Sequence, residues 1–102
     1  MLTLSIRYRI DHHKLRDFDA YARALADPIR RCGGTLIGYF LPTRFAGRTD
    51  EALALIGFQD LAAYERYRHA LASDPGAAEC LERVERSGCI VREERAILQQ
   101  VS

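Results

Sequence analysis

The run Arg31-Cys32-Gly33-Gly34-Thr35-Leu36-Ile37-Gly38-Tyr39-Phe40-Leu41-Pro42 constrains this chain more than any other stretch. A helical pattern closes on two arginines, two glycines turn the chain, and a strand leaves with apolar residues on both faces. Basic residues suit a helix carboxyl end, and Gly33 or Gly34 can supply the left-handed turn that ends it. Pro42 has no N–H to give a ladder, so it fits a strand end or an edge. A chain of 102 residues builds one modest core and no second one. One core covers one face of a sheet. The other face of this strand is therefore expected to be buried by another molecule, and two-fold pairing is the commonest solution.

The rest of the chain supplies the partners of that strand. Leu2, Leu4, Ile6, Tyr8 and Ile10 alternate with Thr3, Ser5, Arg7 and Arg9, the period of a half-buried strand over 2–10. Asp11 then offers a helix cap, and Leu15, Phe18, Ala22, Leu25 and Ile29 form one helical stripe with Tyr21 beside it. Pro28 inside that stripe predicts a kink or a restart. Thr43 to Asp50 is polar and reads as a hairpin loop. Leu53, Ala54, Leu55 and Ile56 are apolar in a row, as in a central strand over 51–58. Asp60 caps a second helix with the stripe Leu61, Tyr64, Tyr67 or Arg68, and Leu71. Ser73-Asp74-Pro75-Gly76 breaks it and starts a third, with Ala78, Leu81 and Val84 or Glu85 expected inward and Gly88 as the stop. Cys89 to Leu98 closes the chain as a strand with a charged middle, which suits an edge.

The order β-α-β-β-α-α-β is an α+β arrangement. It matches the ferredoxin-like split βαβ pattern with a broken second helix and a four-stranded antiparallel sheet. The usual strand order is 4-1-3-2, and the first and third strands are expected as a parallel pair at its centre. Residues 1–102 read as a single domain, with no repeat or low-complexity segment.

Composition excludes several classes of function. Net charge is only +1, which gives no field for nucleic acid. No apolar run approaches the roughly 20 residues of a membrane helix. With no basic and apolar leader, the expected location is cytoplasmic. Cys32, Cys80 and Cys89 are odd in number and unpatterned, so neither a disulfide framework nor a zinc site is expected. His12 and His13 are adjacent and diverge in any regular element, which predicts no metal site. Gly33-Gly34 follows a helix instead of opening one, unlike a phosphate loop. No cofactor is implied.

The segment Arg31 to Pro42 resembles the hallmark stretch of the NIPSNAP family. The closing Val91-Arg92-Glu93-Glu94-Arg95-Ala96-Ile97-Leu98 and the block Gly57-Phe58-Gln59-Asp60-Leu61-Ala62-Ala63-Tyr64-Glu65-Arg66-Tyr67 resemble the same family. The resemblance implies a dimeric α/β barrel, a homodimer in which two open sheet faces meet. It implies no settled activity. Relatives on the same barrel include cofactor-free monooxygenases acting on phenolic substrates, haem-degrading enzymes and proteins of no known chemistry, and fold does not choose among them.

Candidate site residues come from the aromatic and charged patterns. Tyr8, Tyr21, Tyr39 and Phe58 fall on faces expected to be buried. They serve either as core or as walls of a small-molecule pocket between sheet and helices. Arg7, Arg9, Arg92, Glu93, Glu94 and Arg95 lie on strands expected to be neighbours, where they pair across strands or form an anion site inside the barrel, with Arg7 and Arg92 as its candidate ligands. Arg7 needs an acidic partner if buried, and Glu93 or a mate-chain carboxylate is the expected one. Three functions follow: small-molecule binding without established catalysis, a cofactor-independent monooxygenase on a phenolic or quinone-like substrate, and a scaffold or stress-response binding protein.

Overall fold

A computed structural model describes residues 1–102. Strand β1 (Leu2–Ile10) leads through a 3-10 turn (His12–Lys14) into α1 (Leu15–Arg31). Then come β2 (Thr35–Phe40), β3 (Glu51–Phe58), α2 (Leu61–Ala72), α3 (Pro75–Ser87) and β4 (Ile90–Gln99). The sheet order is β2-β3-β1-β4 and every neighbouring pair is antiparallel. The expected order is therefore found, but the central pair β1–β3 is antiparallel, not parallel. The parallel relation links β1 and β2, which are separated by β3, as a crossover through α1 requires.

Short acidic side chains cap the 3-10 turn before α1 and the starts of α2 and α3. The carboxylate of Asp11 accepts from His13 N–H at 3.0 Å, that of Asp60 from Ala63 N–H at 2.8 Å, and that of Asp74 from Ala77 N–H at 2.9 Å. Helix α1 runs unbroken through Pro28, so the expected kink or restart is absent. Pro28 sits in the last turn, where the lost N–H costs one bond, and it is buried. Gly33 takes the left-handed turn (φ 106°) and Gly88 the second (φ 68°).

All three helices lie on one face of the sheet. Leu4, Ile6, Tyr8 and Ile10 from β1 and Ala52, Ala54, Ile56 and Phe58 from β3 are buried beneath them. On α3 the inward stripe is Ala77, Cys80 and Val84, shifted one position from the expected Ala78 and Leu81, which are exposed. Helices α1 and α3 are antiparallel and tied at both ends. Arg31 binds Asp74 in a fork, with Nη2–Oδ2 at 2.8 Å. At the opposite end Lys14 Nζ donates to Ser87 O at 2.6 Å and Ser87 Oγ to Asp17 Oδ2 at 2.7 Å. Helix α2 has no such ties and buries only Tyr67.

The other face of the sheet carries no helix. Alternation from the observed register places Thr3, Ser5, Arg7, Arg9, Leu53, Leu55, Phe40, Ala96 and Leu98 there. Leu53 and Leu55 are only half-buried, and Phe40 and Leu98 are exposed.

Candidate functional site: a tyrosine-walled cavity with an arginine mouth

Between the helices and the covered face lies a cavity of about 220 Å³. Its inner wall is the β1–β3 pair through Leu4, Ile6, Tyr8 and Ile56, and α1 contributes Tyr21, Leu25 and Ile29. Tyr39 joins them because β2 is bulged. Leu36 pairs with Ile56 and Tyr39 with Ala54, with the extra residue Ile37 between them. Unbroken alternation would put Leu36 and Tyr39 on opposite faces. The bulge sends both toward the helices.

Phe18 organises the aromatic wall. Its ring meets Tyr8 edge-on at 4.9 Å between centroids, Tyr21 at 5.8 Å and Tyr39 at 6.2 Å. Tyr8 and Tyr39 stack at 6.3 Å. The Tyr39 hydroxyl lies beside those of Tyr8 and Tyr21. Burial raises the Tyr8 and Tyr21 phenols far above their ordinary range, and neighbouring phenols add to it. Burial also raises Tyr39, against the opposing effect of its contacts with Tyr8 and Tyr21. At neutral pH these are neutral hydroxyls that donate and accept hydrogen bonds, not proton-abstracting bases. The only buried side-chain polar atom without a hydrogen-bond partner is Arg9 Nε, on the open face.

At the outer end α2 and β4 supply Tyr64, Arg68 and Arg95. Arg95 faces inward because its register partner is Ile6, a residue of the covered face. Its Nε donates to Glu93 Oε2 at 3.0 Å. Burial works against the Arg95 charge, but the hydrogen bond and charge of Glu93 prevail and raise its pKa. Arg68 lies 5.9 Å from the centroid of the Tyr64 ring.

The six expected site residues separate into three groups. Tyr8, Tyr21 and Tyr39 meet in the cavity. Phe58 does not line it; its ring packs on Tyr64 and Tyr67 at 5.4 and 4.9 Å. Arg7 and Arg92 lie on the opposite face of the sheet, with Arg9, Glu51 and Glu94. The acidic partner of Arg7 is Glu51, at 3.6 Å, and not Glu93, which faces the helices. Sequence reading gave Arg68 only as an alternative to Tyr67 in the helical stripe and counted Arg95 among the charges of an anion site inside the barrel, so neither was expected at this cavity. The strand period carried the signal for Arg95: it shares a face with Glu93 and Ile97, which pair with Tyr8 and Leu4 of the covered face.

A larger groove of about 360 Å³ runs outside the core between α1 and α3, bordered by Asp17, Arg83 and Arg86. It reaches Tyr21 but neither the sheet nor the other phenols, so the smaller cavity is the better candidate site.

Residues 4–102 match the family model for NIPSNAP. The chain belongs to the NIPSNAP family. Its fold superposes on a NIPSNAP family protein of unknown function from Agrobacterium tumefaciens with a TM-score of 0.84 and 20% identity, covering 98% of this chain and 87% of that one. An uncharacterised NIPSNAP-like domain protein from Burkholderia xenovorans gives a TM-score of 0.78 and 26% identity, with 99% and 85% covered. SnoaB, a cofactor-independent oxygenase from Streptomyces nogalater, gives 0.68 and 14% identity, with 99% and 93% covered. The likeness to SnoaB is one of fold alone. A search of curated proteins finds no match to this NIPSNAP chain.

Proposed function

We propose that this NIPSNAP protein binds a small, mainly apolar molecule in the sheet–helix cavity, as a homodimer built on the open sheet face. The observation that carries the binding reading is the convergence of Tyr8, Tyr21 and Tyr39 on one cavity of about 220 Å³. Cavities for drug-sized ligands run from about 300 to 1,000 Å³, so the ligand here is smaller, on the scale of one or two fused rings. Neutral phenols orient such a molecule through its hydroxyl or carbonyl oxygen. Calorimetric titration with 2-naphthol tests this. Saturable binding that Leu25→Trp removes by filling the cavity supports it, and no saturable heat contradicts it.

The dimer is supported by Leu53 and Leu55, half-buried on a face with no helix, beside exposed Phe40 and Leu98. Contiguous apolar surface of this kind marks association. Light scattering is expected to report about twice the 11.6 kDa chain mass, and Leu55→Glu is expected to return the monomer. A wild-type monomer at micromolar concentration contradicts the dimer.

A second reading is a cofactor-independent monooxygenase acting on a phenol or quinol. Arg95 favours it, because a guanidinium at an apolar cavity stabilises an oxyanion formed on a bound phenol. An oxygen electrode with 1,4-naphthohydroquinone distinguishes the two. Uptake above the uncatalysed rate favours the oxygenase, and an unchanged rate leaves binding alone.

A further inference from the structure

We propose that the cavity selects molecules with an apolar, ring-sized body and a carboxylate head, and that Arg95 and Arg68 hold that head at the mouth. The inference rests on the reading of the cavity as a binding site and adds the charge class of its ligand.

Both guanidiniums line the cavity, and no aspartate or glutamate does. Glu93 engages Arg95 only through Nε, at 3.0 Å. Both terminal Nη atoms of Arg95 are left uncommitted, and that pair is the fork that binds a carboxylate through two parallel hydrogen bonds. Arg68 takes part in none of the ion pairs of the molecule. It rests by the face of Tyr64, a partner that leaves its N–H groups free at the edges.

The two arginines come from different elements, α2 and β4, and line the same cavity together with Tyr64. Burial and solvent are distributed to match an amphiphile. The inner wall is buried and largely apolar: Leu4, Ile6, Ile29 and Ile56 are all at most 4% exposed. The mouth is wet: the Arg95 side chain is 53% exposed. An anion at the mouth keeps part of its hydration while its body replaces empty apolar space. A neutral molecule of the same shape gains only the second of these. Glu93 acts as an internal competitor, because it already occupies one donor of Arg95 and offsets its charge.

Paired calorimetric titrations with 2-naphthoate and its neutral isostere 2-naphthamide at low ionic strength test the proposal. A charge-assisted fork is worth about tenfold or more in affinity, so naphthoate is expected to bind at least about tenfold tighter. Arg95→Gln and, separately, Arg68→Gln are expected to reduce naphthoate toward the amide without changing the amide. Glu93→Gln is expected to tighten naphthoate only, a gain that a merely structural role for Arg95 does not produce. Equal affinities for the two probes in the wild-type protein overturn the carboxylate assignment and leave the binding reading intact. Failure of both probes and of 2-naphthol overturns the binding reading and the assignment with it.

Discussion

Gly33 and Gly34 are adjacent and serve different ends. Gly33 is required by its backbone, at φ 106° with open space around it. Gly34 is required by its neighbours. A Cβ there would meet Ile56 Cγ2 at 2.9 Å, Ile29 Cγ2 at 3.0 Å and Tyr67 Cε1 at 3.2 Å. Those three side chains also line the cavity. Gly34→Ala is therefore expected to destabilise the fold by about 1–3 kcal/mol through overpacking. Urea denaturation measures it, and a loss within error of zero would show that the core yields at that point. The sequence showed that one of the two glycines must turn the chain. It could not show that the other holds Ile56 and Ile29 together, because that contact joins residues distant along the chain.

The tyrosines give a second prediction at the same scale. Burial raises Tyr8, Tyr21, Tyr39 and Tyr67 in the folded protein, whereas an unfolded tyrosine ionises near pH 10. The folded state then holds these protons after the unfolded state has lost them. Their contribution to stability is complete below pH about 10 and declines as pH rises beyond it. Phenolate absorbance at 295 nm should show these four silent through pH 10 in the folded protein, with the melting temperature falling above that pH. If Tyr8→Phe removes a phenolate signal near pH 10 while the protein is folded, the buried wall is not as described.

At the scale of elements, the molecule divides into a tied pair and a loose member. Arg31 and Asp74 join α1 to the start of α3, and Lys14, Asp17 and Ser87 join the other ends. The hydrogen bond to Arg31, and then that from Ala77 N–H, hold the Asp74 carboxyl below its usual range. The sign follows from linkage. Stability from Asp74 is present above the unfolded value near 3.9 and is lost as pH falls through the lower folded value. Asp74→Asn keeps a capping oxygen but loses the charge. It is expected to melt lower than wild type at pH 7, with the gap narrowing by pH 2; a constant gap across that range contradicts the ion-pair account. The caps Asp11, Asp60 and Asp74 were all legible in the sequence, since capping is local. The Arg31–Asp74 fork was not, because 43 positions separate its members. Helix α3 was misregistered by one position for a related reason. Leu81 is the larger apolar residue, but it stands exposed at the cavity, while small Ala77 and Cys80 allow α3 to approach α1.

On the scale of the whole molecule, alternation and capping were enough to specify the element order, and the sheet order came from the split βαβ pattern which that element order matches. They also revealed the uncovered face, since Leu53 and Leu55 share strand β3 with buried Ala54 and Ile56. The candidate site was only half legible. Tyr8 and Tyr21 follow from strand and helix periods, but Tyr39 depends on a bulge at Ile37 that no local pattern announces. Arg7 and Arg92 were read apart from the tyrosines, as cross-strand pairs or an anion site inside the barrel, and they lie together on the other face of the sheet. The central claim is that the ligand lies on the helix side of the sheet. The most direct test is a titration of 15N-labelled protein with 2-naphthol, followed by amide chemical shifts. The account predicts saturable shifts clustered at Tyr8, Tyr21, Tyr39 and Arg95. Absence of shifts, or shifts confined to the strand and loop residues around Arg7, Glu51 and Arg92, would contradict it.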